Sequence, residues 1–175
     1  QGIAVHPQSG NVYVSDPGNA RILRFLKNDL AIGAGADAVF GQENLDSYVE
    51  YPPSDHTFYF PDGLFIDSQG NLWVADSGHH RVLRFPDIDS LPSNSAANLV
   101  LGQGLFTTAV SSTTATGLNY PVSIFIDDQD RLWIADSDNN RVLYFNNAAS
   151  LSNNAAASGV VGQPNFTTAA DGISA

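Results

Sequence analysis

The sequence contains no cysteine and no methionine, and Lys27 is the only lysine among its 175 residues. Without cysteine, disulfide bonds, thiolate nucleophiles and cysteine-ligated zinc or iron–sulfur sites are excluded. Seven basic residues stand against eighteen acidic ones, which gives a formal net charge of −11. Such a surface repels phosphate backbones and anionic lipid, so we expect neither a nucleic-acid partner nor membrane binding. No stretch approaches the roughly 18 apolar residues that a membrane-spanning helix needs.

What is present is one segment in three copies, spaced by 60 residues, at positions 10–25, 70–85 and 130–145. The copies read GNVYVSDPGNARILRF, GNLWVADSGHHRVLRF and DRLWIADSDNNRVLYF. Each follows a short apolar run and precedes a Gly-Gln pair, at 41–42, 102–103 and 162–163. Recurrence at a fixed period is the signature of a repeat architecture. The sequence therefore predicts three repeat units, residues 1–60, 61–120 and 121–175.

Each unit is predicted to form four strands. In the second unit GLFID and NLWVAD are rich in strand formers, DSGHH supplies a turn, RVLRF closes a hairpin, and ANLVLGQ is the fourth strand. Gly78 in the turn is expected to take a positive φ. One four-stranded antiparallel sheet cannot bury both of its faces, whereas radial stacking of several can. We predict an all-β fold of β-propeller blades; the competing β-solenoid has shorter rungs, of roughly 20–30 residues.

Residues 61–85 resemble the NHL repeat, through Pro61, Gly63, Asp67, Gly70, Asn71, Trp73, Asp76, Gly78, Arg81 and Phe85. The first copy departs from the pattern at Gln1 and His6, and the third at Ser123 and Asp130. The resemblance implies a propeller that typically closes with six blades, so three blades would be half a ring or part of a longer array. The long repeat is similar to repeats of large secreted bacterial proteins. Some NHL propellers are amidating lyases with zinc-binding histidines at the ring centre, but no histidine recurs in the first strands here.

An aspartate and an arginine recur together, five residues apart, in the pairs Asp16–Arg21, Asp76–Arg81 and Asp136–Arg141. One interpretation is a ring of carboxylates that binds a metal. The other is a structural fastener, in which the carboxylate caps the turn and pairs with the guanidinium at the start of the next strand. The fastener explains why both residues recur, so we assign no catalytic role to them.

The third copy also matches the start of a calcium loop, through Asp136, Asp138 and Asn140. The match then ends, because Arg141 stands where the loop needs glycine and Asn147 where it needs a bidentate glutamate. We predict no cofactor, with calcium at these three residues as the candidate exception.

Other recurring or clustered residues suggest packing, anchoring and modification. Tyr13, Trp73 and Trp133 share one repeat position, which predicts a stack buried between blades or, alternatively, a carbohydrate platform. In each Gly-Gln pair we expect the glycine to bend the chain and the glutamine to anchor the following link. Candidate glycosylation sites are the sequon asparagine and threonines of a Ser/Thr run: Asn165, Thr107, Thr108, Thr113 and Thr114.

The sequence lacks a nucleophile elbow, a phosphate loop and a dinucleotide fingerprint. We therefore expect a non-enzymatic, extracellular or cell-surface module for scaffolding, adhesion or self-assembly, for example into a fibre. Three blades leave open faces, so the expected partners are further copies of the chain or further blades of the same chain. Two alternatives stay open: a metal-dependent lyase or hydrolase on a six-bladed propeller, and a peptide- or glycan-binding module that uses the link aromatics Tyr48, Tyr51, Phe58 and Tyr59.

Overall fold

The computed structural model describes residues 1–171, which form three four-stranded antiparallel sheets, here called blades 1 to 3. Blade 1 consists of β1 (Ile3–Val5), β2 (Val12–Asp16), β3 (Arg21–Phe25) and β4 (Ala38–Phe40). Blade 2 consists of β5 (Pro61–Ile66), β6 (Leu72–Asp76), β7 (Arg81–Phe85) and β8 (Leu99–Leu101). Blade 3 consists of β9 (Pro121–Ile126), β10 (Leu132–Asp136), β11 (Arg141–Phe145) and β12 (Gly159–Val161). The predicted all-β blades are confirmed, and no helix within residues 1–171 is long and apolar enough to cross a membrane.

The first strands bring the blades together. β1 contacts β5, and β5 contacts β9. The second strands β2 and β6 also contact the first strand of the following blade. The sheets therefore fan out from the first strands, and strand order within each sheet follows the chain from the inside to the outside. This is the radial arrangement of propeller blades.

Alternate residues of each strand point to opposite faces of a blade, because side chains alternate along a strand. The face toward the preceding blade is called the leading face, and in blade 2 it presents Leu64, Leu72, Val74 and Leu83 to blade 1. The face toward the following blade is called the trailing face, and in blade 2 it presents Phe65, Trp73, Ala75 and Val82 to blade 3. Each fully buried side chain of this size contributes roughly 1.5–3 kcal/mol, so the two interfaces between blades are the cores of the molecule.

The turn between the second and third strands differs from the prediction in one respect. In blade 2 it is a single 3-10 turn, Ser77–His79, and the residue with left-handed backbone is His80, at φ 53°, rather than Gly78. Glycine is needed at position 78 because a side chain there would not fit beside Tyr59. A Cβ there would lie against the ring of Tyr59 and 2.6 Å from the Tyr59 carbonyl oxygen.

The long links are anchored by the glutamine of each Gly-Gln pair. Gln103 Nε2 donates to the Val110 carbonyl at 2.8 Å, and Gln103 Oε1 accepts from the Val110 N–H at 3.1 Å. Gln42 makes the same pair of bonds with Val49. The preceding glycines have φ near +90°, as Gly102 does at +87°. The predicted bend and anchor are confirmed at these positions.

Candidate functional site

The turn after the first strand of blade 2 is organised by Asp67. Its Oδ1 accepts from the backbone N–H groups of Gln69 and Asn71, both at 2.9 Å. Its Oδ2 accepts from the Asn71 side chain at 2.9 Å and from Trp73 Nε1 at 3.0 Å. Both carboxylate oxygens are therefore engaged within the turn, and they also fix the indole of the buried tryptophan.

Asp127 repeats this arrangement in blade 3. Its Oδ2 accepts from Arg131 Nε at 2.7 Å and from Trp133 Nε1 at 2.8 Å. Burial raises the pKa of Asp127, but the hydrogen bonds from Trp133 and Arg131 outweigh it and hold that pKa well below its usual range. A carboxyl group so strongly held as its anion is suited to fixing the turn, not to exchanging a proton.

A cavity of about 510 Å³ lies between these two turns, at the end of the first strands of blades 2 and 3. Its lining combines apolar side chains near the ends of those strands with acidic residues of the two turns: Phe65, Ile126, Asp67, Asp127, Asp128 and Asp130. Its volume is within the range of small-molecule sites, which is roughly 300–1,000 Å³. The combination of an apolar wall with carboxylates can hold a small polar substrate that carries an apolar part.

Two carboxylates of this cavity are left over from the turn. Asp130 Oδ2 accepts from the Ala149 N–H at 3.3 Å, a long contact, and Asp130 has a positive φ of 56° at the position of Gly70 in blade 2. Asp128 is exposed, and no protein hydrogen bond engages its side chain within residues 1–171. These two carboxylates are available to a ligand, as are the exposed side chains of Ser68 and Gln69 in the same cavity.

In blade 1, different residues stabilise the corresponding turn. His6 stands at the position of Asp67, and Tyr13 stands at the position of Trp73. Tyr13 Oη donates to Asp89 Oδ1 at 2.6 Å, and His6 Nδ1 lies 3.5 Å from Asp89 Oδ2. The carboxylate that the first repeat lacks is thus supplied by blade 2. No pattern in the sequence points to this partner, because Asp89 lies 76 residues from Tyr13.

The recurring Asp–Arg pairs lie in the hairpin turns. Arg81 Nε donates to Asp76 Oδ2 at 2.7 Å with both side chains fully buried, and Arg141 Nε does so to Asp136 at the same distance. The Arg81 guanidinium also donates to carbonyl oxygens of the link, including those of Ser54 and Thr57. In blade 1 the pair Asp16–Arg21 is 2.9 Å apart and partly exposed. Each pair joins a turn, a strand and a link.

The calcium candidates do not form a common ligand set. Asp136 Oδ2 accepts from Arg141 Nε and from the Asn139 side chain, and its Oδ1 accepts from the Asn119 N–H. The Asn140 side chain is turned away to the Ala169 carbonyl and to Asp171. Asp138 is exposed. The physical reason is that both oxygens of Asp136 are already engaged, Oδ2 by Arg141 and Asn139 and Oδ1 by the Asn119 N–H.

The described part of the chain does not fit a resident metal ion. Across residues 1–171, no group of three or more His, Cys, Asp or Glu side chains is arranged to hold one. The adjacent histidines point apart, since His79 Nδ1 contacts Asp76 and His80 Nδ1 accepts from the Tyr120 N–H. We therefore derive no chemical step through a metal.

The remaining predicted sites are on the surface or in the links. Asn165 is exposed, and its Oδ1 accepts from Thr167, while Thr107 and Thr114 are exposed, Thr108 is half-buried and Thr113 donates to Asn139. Their glycosylation stays a prediction. Of the link aromatics, Phe58 is buried and Tyr59 packs on His79, whereas Tyr48 is 55% exposed and Tyr51 lines a cleft of about 140 Å³. They do not form one binding platform.

Comparison with known proteins identifies the repeat. A sequence model described as the NHL repeat matches residues 58–85 and 118–145, which fall in blades 2 and 3. The chain carries NHL repeats. Blade 1 lies outside the matched residues. It has the same four-stranded topology as blades 2 and 3, although its turn residues differ. The resemblance inferred from the sequence is confirmed.

Relatives and solved structures extend this result. The chain is 32% identical over 95 residues to peptidyl-alpha-hydroxyglycine alpha-amidating lyase 2 of Drosophila melanogaster, an alignment that spans 54% of this chain and 21% of the lyase. In fold it is similar to a chain of the nidogen/laminin complex (TM-score 0.58, 20% identity, 96% of this chain and 49% of that chain). It is also similar to a putative 6-phosphogluconolactonase from Bacteroides uniformis (TM-score 0.57, 13% identity, 94% and 41%). The chain thus spans about half or less of the proteins that it matches.

These findings correct the expectation of a non-enzymatic scaffolding, adhesion or self-assembly module. The curated relative is named as a lyase. The same fold occurs in the protein described as a putative 6-phosphogluconolactonase and in streptogramin B lyase (TM-score 0.50, 14% identity, 82% of this chain and 36% of that chain). The predictions of a structural module and of no enzymatic activity were therefore wrong. They rested on the absence of known catalytic motifs and on a structural interpretation of the recurring Asp, Arg and Trp residues. In this chain those residues hold each blade together, so they carry no information on activity.

Proposed function

We propose that the chain supplies three blades of a propeller enzyme, a lyase that cleaves a carbon–nitrogen bond in a small acylated substrate. The observation that carries the proposal is the 32% identity over 95 residues to an amidating lyase. The cavity between blades 2 and 3, with its volume of about 510 Å³, is the proposed place of substrate binding.

The chemistry follows from the bond that breaks. The substrate class named for the relative, a peptidyl-α-hydroxyglycine, bears a hydroxyl and an amide nitrogen on one carbon. When the carbon–nitrogen bond breaks, the hydroxyl gives up its proton, its carbon becomes an aldehyde, and the amide nitrogen gains a proton and leaves. The step needs a group that accepts the first proton and one that delivers the second.

Within the proposed site, Asp128 is the candidate proton acceptor. It is exposed in the cavity, and no protein hydrogen bond engages it within residues 1–171. Asp67 and Asp127 act as positioning residues, because both oxygens of each carboxylate are engaged by the turn. Phe65 and Ile126 provide the apolar surface for the acyl part of the substrate.

The test is glyoxylate release from N-benzoyl-α-hydroxyglycine by the purified chain. We expect release above the rate of spontaneous breakdown, a kcat lowered about 10²-fold or more in Asp128→Asn, and no change in the control Asp46→Asn, an exposed carboxylate in the first link. Parallel reactions with added calcium or zinc report whether a metal contributes. Turnover of a lactone in place of the hydroxyglycine, or equal activity of the two variants, would contradict the proposal.

An extracellular or cell-surface location is a further proposal, supported by the resemblance of the long repeat to repeats of secreted proteins. Fractionation of the source cells with an antibody to this chain tests it, since a signal confined to the cell interior would contradict it. The candidate glycans at Asn165 and in the run from Thr107 to Thr114 are tested on the same material by mass spectrometry.

A further inference from the structure

The turns after the first strands of blades 1 and 2 are packed together by a buried histidine. His6 is 6% exposed, and its Nε2 lies so close to blade 2 that a Cβ on Gly70 would be 2.8 Å from it. Its Nδ1 lies 3.5 Å from Asp89 Oδ2. Gln8 Nε2 spans the two turns and donates to the Ser68 carbonyl oxygen at 2.7 Å. At the first blade interface, an imidazole beside a carboxylate therefore fills the space between the two turns.

Smaller side chains open the same space at the second blade interface. Asp67 stands at the position of His6, and its carboxylate is held in its own turn, where Oδ2 accepts from Trp73 Nε1 at 3.0 Å. Ala149 stands at the position of Asp89, because each is the middle residue of the 3-10 turn after the third strand. Both Asp67 and Ala149 line the cavity of about 510 Å³. The cavity thus includes the place that the imidazole and its neighbouring carboxylate fill one blade earlier.

Negative charge is relocated at the second interface. Asp130 stands at the position of Gly70, because the carbonyl of each accepts, at 2.9 Å, the N–H of the residue that begins the 3-10 turn after the third strand. Asp128 likewise stands at the position of Ser68. Both carboxylates line the cavity, and none of its lining residues within 1–171 is basic. The second interface therefore has carboxylates where the first has small, uncharged residues.

Two guanidinium groups lie near this interface, and both are engaged elsewhere. Arg131 Nε donates to Asp127 Oδ2 at 2.7 Å. Arg84 lies over the indole of Trp73, 5.4 Å from the ring centroid. The carboxylate of Asp130 has no basic partner within residues 1–171, and the hydrogen bond that it accepts there, from a backbone N–H, is long at 3.3 Å. A positive charge in the cavity would therefore find a carboxylate with free acceptor capacity.

We propose that the cavity binds a small planar organic cation, an imidazolium, amidinium or guanidinium group with an apolar part attached, in the place that corresponds to the His6 imidazole. Asp130 accepts hydrogen bonds from the cation, because planar N–H donors match the two oxygens of a carboxylate. Asp128 adds negative charge beside it, and Phe65 and Ile126 contact the apolar part. The inference rests on the proposed function in taking this cavity as the substrate site, and it assigns a positive charge to the acyl part of the substrate.

Titration of the labelled chain with benzamidinium, followed by NMR, tests the proposal. The two tryptophans of the chain are local reporters, because Trp73 Nε1–H donates to Asp67 and Trp133 Nε1–H donates to Asp127, and both carboxylates line the cavity. We expect saturable shifts of both indole N–H signals. Benzamide, a neutral molecule of nearly the same shape, should bind at least about tenfold more weakly. Equal Kd values for the two compounds, or no saturable shift with benzamidinium, would overturn the proposal.

Two substitutions at position 130 separate charge from folding. Asp130 has a left-handed backbone, at φ 56°, which glycine and asparagine both adopt readily. Asp130→Gly introduces the residue that blade 2 has at this position, and Asp130→Asn removes only the charge. Each should raise the Kd of benzamidinium at least about tenfold, whereas the control Asp46→Asn, in the first link, should leave the Kd unchanged. Circular dichroism verifies the strands, and variants at position 130 that bind as tightly as the wild type would exclude this carboxylate as the partner of the cation.

Glyoxylate release, measured on the same chain, distinguishes this proposal from the proposed reaction. Benzamidinium should inhibit release from N-benzoyl-α-hydroxyglycine competitively, because both compounds would occupy the cavity. Saturable binding of benzamidinium without any glyoxylate release would contradict the lyase reaction and support the cation site. Glyoxylate release that benzamidinium does not inhibit, with indole signals that do not shift, would support the reaction and overturn the cation site.

Discussion

Tyr13 Oη lies 2.6 Å from Asp89 Oδ1, and this hydrogen bond joins blade 1 to blade 2. Asn11 donates to the same oxygen at 3.1 Å, and Arg24 donates to the backbone carbonyl of Asp89. Blades 2 and 3 instead use an internal Asp–Trp bond at this place, Asp67 to Trp73 in blade 2. The first repeat thus departs from the pattern at two linked positions, and the neighbouring blade compensates for both.

Because of this hydrogen-bond network, the free energy of unfolding should fall with pH in the alkaline range. Burial, together with the hydrogen bond to Asp89, raises the pKa of Tyr13 far above its usual value of 10.0. The unfolded tyrosine ionises first, so the stabilisation is present below about pH 10 and is lost as the pH rises toward the folded pKa. We predict that Tyr13→Phe costs about 1.5–3 kcal/mol at neutral pH and flattens the alkaline decline, as measured by urea unfolding between pH 7 and pH 11.

Tyr144→Phe is the control for this prediction, because no hydrogen bond engages the Tyr144 hydroxyl within residues 1–171. It should leave both the stability and the alkaline decline close to those of the wild type. If the two substitutions gave the same profile, the bond from Tyr13 to Asp89 would not be the origin of the pH dependence.

In the acid range, the pH dependence of stability is governed by Asp89. Its sign is opposite, because stability is lost as the pH falls. Burial raises the pKa of Asp89, but hydrogen bonds from Ser9, Tyr13 and Asn11 outweigh it, so the pKa lies below its usual value of 3.8. Stabilisation by the carboxylate is present above that value and is lost as the pH falls toward the folded pKa. Asp89→Asn should lack this loss between about pH 4 and pH 2 and should be less stable at pH 7, by the same unfolding measurement.

The buried pair Asp76–Arg81 should contribute far more to stability than the partly exposed pair Asp16–Arg21. Asp76 and Arg81 are both completely buried, so Asp76→Asn leaves an uncompensated buried guanidinium, at a cost of about 3–5 kcal/mol. Asp16 and Arg21 are 26% and 19% exposed, and Asp16→Asn should cost about 1 kcal/mol or less. Equal losses in urea unfolding would show that burial of the pair is not what determines its contribution.

The glutamine anchor should control the local order of its link. Gln103→Ala removes one donor and one acceptor for Val110, which leaves backbone groups unpaired and costs about 1–3 kcal/mol. Hydrogen exchange should show a faster Val110 amide, whereas the exposed control Gln69→Ala should change neither exchange nor stability. An unchanged Val110 amide in Gln103→Ala would show that other contacts hold the link.

Features that depend on nearby residues could be predicted from the sequence, and features between blades could not. Asp76 and Arg81 are five residues apart, so their pairing follows from the hairpin itself, and the Gln103 anchor acts within its own link. The bond from Tyr13 to Asp89 and the cavity beside Asp128 form only when two blades stack. The prediction of no enzymatic activity was wrong for a related reason: the residues that recur in all three repeats, such as Asp76 and Arg81, hold each blade together and say nothing about activity.

Gly78 and Gly18 occupy the same position in two blades and should respond oppositely to substitution. Neither has a positive φ, so an alanine meets no backbone strain at either place. A Cβ at Gly78 would collide with Tyr59, whereas a Cβ at Gly18 has nothing within 4 Å. We predict that Gly78→Ala costs about 1–3 kcal/mol through overpacking, and that Gly18→Ala is neutral or stabilises by up to about 1 kcal/mol, because alanine restricts the unfolded chain. Urea unfolding of the two variants measures the difference, and a destabilised Gly18→Ala would show that the turn needs glycine for its backbone and not for the space that Tyr59 fills.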